Sequence, residues 1–219
     1  MPRNGATLGL VMTLLQALQT INGFSKPSKM PCNSWSIPAK DCKTGSKLVQ
    51  VSGSICEDCY ALSGFYRMGN VKSCLEKRLE SLSDPKWEEA MTVAISGSES
   101  SGYFRWFDSG DLQSLAHLKQ IAQIANNLPQ IKFWLPTKEY GIVQDFLKEN
   151  ELPQNLTIRL SAYMVDGPAP VGLASRLGLV TSTVSKASWT CPAGSQGNKC
   201  LQCRACWDKT VSNVAYKHH

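Results

Sequence analysis

Nine cysteines stand in this 219-residue chain against three histidines, and their spacing divides them four, one and four. The run Cys200-x2-Cys203-x2-Cys206 wraps three thiolates around one small object, and Cys191, in a Cys-Pro pair upstream, completes a set of four. Zinc ribbons usually supply two separate C-x2-C knuckles. The triple spacing therefore favours a [4Fe-4S] cubane, with zinc as the alternative metal. The other set, Cys32, Cys42, Cys56 and Cys59, has one C-x2-C knuckle and two remote ligands. That pattern suits zinc or iron–sulfur equally, and the other end of the chain tips it to a second [4Fe-4S] cluster. Cys74 falls inside a predicted helix and reads as a buried apolar residue. An odd count and these close spacings argue against a disulfide scaffold, and free thiolates need a reducing compartment.

The elements that must position these sulfurs follow from the periodicity. Residues 25–60 are rich in Lys, Ser, Pro, Gly and Cys with no sustained period, so a ligand must organise them. A helix is expected over Phe65 to Leu82, and another opens at Pro85 with Asp84 as its N-cap. Strand and helix patterns then alternate. Tyr103 to Phe107, Ile131 to Leu135, Leu156 to Tyr163 and Leu179 to Ser185 read as strands. Leu112 to Asn126, Glu139 to Lys148 and Val171 to Leu177 read as helices. Units of this kind make parallel βαβ crossovers, and four or five of them predict an α/β fold, a partial or small TIM-like (β/α) barrel. The expected organisation is one domain, 1–219. It comprises an N-terminal helix and Cys-rich loop region (1–62), a β/α core (63–187) and a C-terminal cluster loop (188–208). The apolar stretch Thr7 to Leu18 reads as an N-terminal packing helix rather than a signal peptide.

Ligands of such folds sit beyond the carboxyl ends of the strands. Polar residues mark three of those ends: Asp108 and Asp111 after the first strand, Lys138 after the second, and Tyr163 on the third. Arg159, Ser161 and Tyr163 lie two apart and share a strand face. Arg105, Asp108, Asp111, Lys138, Arg159 and Tyr163 are therefore the candidate substrate-binding residues, with Arg159 expected to hold an anionic group. The competing reading of Asp111 is that it caps the next helix. The pocket is expected between the two cysteine sets, with the C-terminal cluster at the mouth.

The rest of the composition narrows the function classes. With 42% hydrophobic and 18% charged residues the chain is an ordinary globular sequence. Two four-thiolate clusters would lower its formal +6 to roughly +2, so the basic balance argues little for a polyanion partner. No run of eighteen apolar residues occurs, so no membrane span is expected. No G-x4-G-K-[ST] loop is present, and His117 is the only histidine before the tail, which disfavours a serine triad. Three functions remain: a redox or radical-type iron–sulfur enzyme, an electron-transfer or cluster-carrying protein without a substrate, and a zinc-stabilised nucleic-acid module. The last would use Trp35, Trp189 and Trp207 as stacking platforms. The expected partner is a small-molecule substrate or a redox partner.

Several segments carry a resemblance: Lys29-Met-Pro-Cys32 through Ala39, Cys42-Lys-Thr-Gly-Ser-Lys-Leu48, Cys56-Glu-Asp-Cys-Tyr-Ala-Leu62, Tyr103 through Ser114, Phe133 through Glu139, and Cys200-x2-Cys203-x2-Cys206-Trp207. Over roughly residues 28 to 208 the chain resembles a bacteriophage family named after a mycobacteriophage gene product, number eighty-eight. The resemblance implies a viral origin and hence a host cytoplasm, and it supplies no catalytic residues. Cys-Tyr-Ala after a C-x2-C in a partial barrel is also similar to radical S-adenosylmethionine enzymes, which would add S-adenosylmethionine as a ligand. The C-x3-C-x2-C loop of that family is absent here. Four thiolates on one cluster would also leave no iron open to the methionine moiety.

Overall fold

In the computed structural model, which describes residues 12–218, six strands form one all-parallel sheet in chain order. They are β1 (Ser34–Trp35), β2 (Tyr103–Trp106), β3 (Lys132–Thr137), β4 (Leu156–Ser161), β5 (Val180–Ser185) and β6 (Asn213–Lys217). Each pairs with the next, and β1 and β6 are edges, so the sheet is α/β but not closed into a barrel. The helices are α1 (Leu14–Thr20), α2 (Gly45–Leu48), α3 (Gly69–Ser81), α4 (Trp87–Ser98), α5 (Leu115–Asn127), α6 (Tyr140–Glu149) and α7 (Val171–Leu177). The four strands expected from the periodicity occur within two residues of their expected bounds. β1 and β6 were not expected. β1 is two residues inside a stretch that reads as loop, and β6 follows the last cysteine. Residues 1–11, which include part of the expected Thr7 to Leu18 helix, lie outside the described residues; the described part begins α1, capped by Thr13.

Sequential parallel strands joined by right-handed crossovers put their helices on one side. That side is the main core, where Phe104, Trp106, Phe133, Leu135, Ile158 and Leu160 of the sheet meet Met91, Ile95, Leu118, Ile121 and Phe146 of the helices. Alternation sends the intervening residues to the other face: Tyr103, Arg105, Trp134, Thr157 and Arg159. The connection from β5 to β6 carries no α-helix. It is the C-terminal cysteine loop, and it lies across this inner face, as the bonds from Thr157 and Arg159 to its backbone show.

The expected cap assignments shift. α4 begins at Trp87, while Asp84 accepts from the Lys86 amide at 2.8 Å. α5 is capped by Ser114, whose hydroxyl accepts from the His117 amide, which frees Asp111 for other contacts. His117 is buried in the main core, edge-on to Trp35, Trp87 and Phe107. Its Nδ1 accepts from the Gln113 amide at 3.4 Å, so Nε2 carries the proton. Desolvation pushes its pKa down to about 3, whereas in the unfolded chain it titrates near 6.5. The unfolded state therefore binds the extra proton between those values, and stability must fall as pH falls through that window. Between pH 7 and 4.5 the His117 contribution should shrink by about 2–3 kcal/mol. Urea denaturation of metal-free protein at the two pH values should show this loss in the wild type and its disappearance in His117→Phe. Equal slopes in both proteins would refute it.

Candidate metal centres and the mouth of the sheet

All nine cysteines are free thiols, and the fold regroups them. Cys42, Cys56 and Cys59 belong to the chain leaving the carboxyl end of β1. This loop is pinned across the ends of β3 and β4. The Thr44 amide and hydroxyl donate to the buried Glu139 carboxylate at 2.7 and 2.9 Å. The Ile55 amide donates to Tyr163 O at 2.8 Å and the Val165 amide to Gly53 O at 2.9 Å. Gly45 opens α2 inside the group. A Cβ there would stand 2.9 Å from Cys42 Cβ, 3.6 Å from Cys42 Sγ and 3.7 Å from Cys56 Sγ. The absent side chain leaves a cradle between two sulfurs.

Asp111 and Lys138 face this group. Asp111 is buried and accepts from Thr137 Oγ1 at 2.6 Å and from the Lys138 and Leu112 amides at 2.8 Å. Burial nonetheless pushes its pKa up to about 6. Burial, then the charges of Asp111 and of its fellow cysteines, raises the Cys42 thiol, and Lys138 pulls it back. Burial likewise raises Cys56, against Lys138. Tyr163 stacks flat on Tyr140, ring centres 4.7 Å apart, and donates to Lys138 O at 3.1 Å. Asp111, Lys138 and Tyr163 thus gather with three cysteines at the mouth.

Cys32 does not join them. It precedes β1, at the amino end of the sheet, and packs with Cys206, Trp134 and Trp207, with Cys191 alongside. The Cys200 amide donates to Lys29 O at 2.8 Å, bringing that end of the C-terminal loop to the Cys32 segment. Cys191, Cys200, Cys203 and Cys206 line one small apolar hollow with Ala193, Trp207 and Val214. Five sulfurs therefore stand here instead of four, and three at the mouth. Desolvation raises Cys32 to about 12, its field including Cys200, and raises Cys206 to about 11 against the hydrogen bond with Tyr216. Cys206 Sγ and Tyr216 Oη are 3.2 Å apart. Among the described residues no three His, Cys, Asp or Glu side chains are drawn close enough together to hold an ion.

A polar bridge separates the two groups. Asp108 accepts from Ser34 Oγ at 2.7 Å, Tyr66 Oη at 2.8 Å and Ser36 Oγ, and its carbonyl accepts from Tyr60. Although burial opposes its charge, Arg105 and these donors hold its pKa below the usual range. Phe107, just before it, has φ 57°, a left-handed conformation that costs a bulky residue energy and here aims Asp108 at β1. Gly110 follows with φ 82°, against Ile37, where a Cβ would approach to 2.3 Å.

Compared with known families, residues 12–209 match the family described as Gene product 88. The chain belongs to the gene product 88 family. No curated protein and no solved structure matches it.

In this family member three expectations need correction. Arg159 is fully buried, and every N–H of its guanidinium end is spent on backbone. Nε donates to Cys206 O (3.0 Å), Nη1 to Thr181 O (3.0 Å) and Val211 O (2.9 Å), and Nη2 to Ala205 O (2.5 Å) and Asp208 O (2.8 Å). It clamps the cysteine loop, and no guanidinium N–H is left over for a ligand. The C-terminal group also does not sit at the mouth. Trp207 Nε1 bonds Phe104 O and Thr157 bonds Trp207 O, near the starts of β2 and β4. Finally, Trp35 and Trp207 are 0% and 5% exposed, so of the three suggested stacking platforms only Trp189, at 38%, reaches solvent. Cys74 is half-buried on α3, its thiol 3.7 Å from Asn22 O and apart from both groups. Sequence reasoning missed Glu139, Gly45 and Trp134. Glu139 directly follows Lys138, and Gly45 lies three residues past Cys42; each stood inside a quoted motif without a role.

Proposed function

We propose that this chain is an iron–sulfur enzyme of redox or radical type, carrying two [4Fe-4S] clusters and binding its substrate at the mouth beside Cys42, Cys56 and Cys59. The observation that carries the reading is the division of sulfurs into three and five. With Cys32 gone from the mouth, three thiolates are left there for a cluster that has four irons to ligate. The objection that all its irons would be taken by protein no longer applies. The fit is supported by the donor chemistry, all free thiols, and by the Gly45 cradle, which a side chain would fill. Cys42, Cys56 and Cys59 would hold one cluster. Cys191, Cys200, Cys203 and Cys206, with Cys32 beside them, would hold the other.

Clusters of this kind, when bound, supply single electrons at a potential set by charge and hydrogen bonding around the sulfurs. The chain's own residues do the rest. Lys138 offsets thiolate charge and, with Asp111, offers both signs of charge at the mouth. Such a pair suits a zwitterionic group such as the methionine end of S-adenosylmethionine, the ligand that the radical-enzyme resemblance implies. The stacked Tyr140 and Tyr163 give a flat apolar wall next to it. Glu139 holds Thr44 and so the cysteine loop. The sequential parallel order is also that of a partial (β/α) barrel left open, with the cysteine loop following its first strand.

The test is anaerobic purification with reconstitution, followed by iron, sulfide and zinc assays. Wild type should be brown, with about eight irons and eight sulfides per chain. Cys59→Ser should lose half of them and Cys206→Ser the other half. Cys32→Ser should behave like Cys206→Ser, whereas Cys74→Ala should keep all. S-adenosylmethionine should change the electron paramagnetic resonance signal of the centre lost in Cys59→Ser and no other. Colourless protein with stoichiometric zinc and no sulfide would end the iron–sulfur reading. Full clusters indifferent to S-adenosylmethionine would leave an electron carrier.

A further inference from the structure

Two arginines lie on the inner face, and they differ in one respect. Arg159 has an acceptor for every donor. Arg105 does not: Nη2 donates to Phe107 O at 3.1 Å, Nη1 meets the Met30 thioether at 3.5 Å, and Nε is buried without an acceptor. Tyr60 reaches its guanidinium through a hydroxyl. Neither of the two ion pairs found among the described residues, Lys40–Glu76 and Lys148–Asp145, includes Arg105. Its Cζ lies 4.5 Å over the ring of Trp134, whose own Nε1 is a second buried donor without an acceptor. Trp134 packs in the same cluster as Cys32 and Cys206. Asp108 answers its charge from beyond ion-pair distance, but two idle buried N–H donors, Arg105 Nε and Trp134 Nε1, are costly to leave unpaired. That cost vanishes if the neighbouring sulfurs are anionic, because thiolates and cluster sulfides accept hydrogen bonds.

We infer that Arg105 is the resident counter-cation of the five-sulfur centre, and that with the Trp134 indole it donates to the sulfur of the loaded site. This rests on the iron–sulfur reading only for the identity of the metal. Cys32, Cys200 and Cys206 all feel its charge, which favours their thiolates. In the loaded centre the same charge stabilises the reduced state and raises the reduction potential. Arg105 is thus a positioning and tuning residue, while Arg159 is structural.

The two roles separate by experiment. In reduced, metal-free protein, Arg105→Met should lower the melting temperature only slightly, since Asp108 keeps the hydroxyl donors of Ser34, Ser36 and Tyr66 when the more distant charge is lost. After anaerobic loading with iron and sulfide, the same variant should yield metal to a chelator about tenfold faster or more. Its centre carrying Cys206 should also show a lower reduction potential. Arg105→Lys should fall between the two, and Trp134→Phe should lower the potential without altering charge. An equal fall in melting temperature with and without metal, or unchanged retention and potential, would overturn the inference. Should wild type take up zinc and no sulfide, the iron–sulfur reading falls while Arg105 is still judged. Slower alkylation of Cys200 in metal-free Arg105→Met then supports the inference, and an equal rate overturns it.

Discussion

Gly45→Val should strip the mouth centre of its metal and leave the other intact, lowering iron from about eight to about four per chain. The reason is local. The Cβ would stand 2.9 Å from Cys42 Cβ, and its branches would reach between the sulfurs of Cys42 and Cys56. The backbone of Gly45 needs no left-handed angle, so a side chain is opposed by space alone. Gly45→Ala, the milder change, should weaken metal retention by about tenfold or more. Strain from the intruding Cβ should cost the metal-free protein only about 1–3 kcal/mol. Iron analysis alongside thermal denaturation of metal-free protein checks both parts. A Gly45→Val protein with a full complement of iron would mean that the three cysteines do not share a ligand.

Arg159→Met should be among the most damaging single changes on the inner face, at about 4–5 kcal/mol. Five N–H donors vanish at once, and the carbonyls of Thr181, Ala205, Cys206, Asp208 and Val211 lose their partner. Burial lowers the pKa of this guanidinium, so the site is one where desolvation must be repaid by bonds. Arg159→Lys supplies three donors from a point and should recover only part. The loss should be confined to the loop: hydrogen exchange should rise over residues 186–212 while α5 and α6 stay protected. A variant of unchanged stability would return Arg159 to the list of ligand-binding residues.

What could be read from sequence was whatever local pattern determines. β2 to β5 and their helices announce themselves by period, and the alternation along β4 puts Arg159 opposite Ile158 and Leu160. What that alternation could not convey is what covers the polar face. Arg159 reads as a ligand residue only on an open face, whereas the β5–β6 connection lies over it. The cysteines were divided by proximity in the chain, and this misfiled Cys32. Ser34–Trp35 is too short to register as a strand, yet it separates Cys32 at one end of the sheet from Cys42 at the other. Asp111 has a competing reading as a helix cap because Ser114, the true cap, lies three residues on. Its contacts with Thr137 and Lys138 come from the neighbouring strand's end, beyond any window of sequence.

The regrouping of Cys32 also orders events during synthesis. Cys42, Cys56, Cys59, Asp111 and Lys138 all precede β4, so the mouth can begin to assemble before the C-terminal cysteines are made. The five-sulfur group cannot. Cys32 precedes β1, while Cys200, Cys203 and Cys206 come after β5, with β6 still to follow. Such a contact closes about three-quarters of the chain into one loop, and slow closure of this kind delays folding. Until it closes, Cys32 and the inner faces of β2 to β4 await their cover, with Trp134 and Arg105 open to water. The last strand, β6, pairs with β5 along five residues, from Thr181–Asn213 to Ser185–Lys217. It is therefore the latch that holds the cysteine loop against the sheet, and a nascent chain truncated before Asn213 should keep the mouth group and lack the inner-face one.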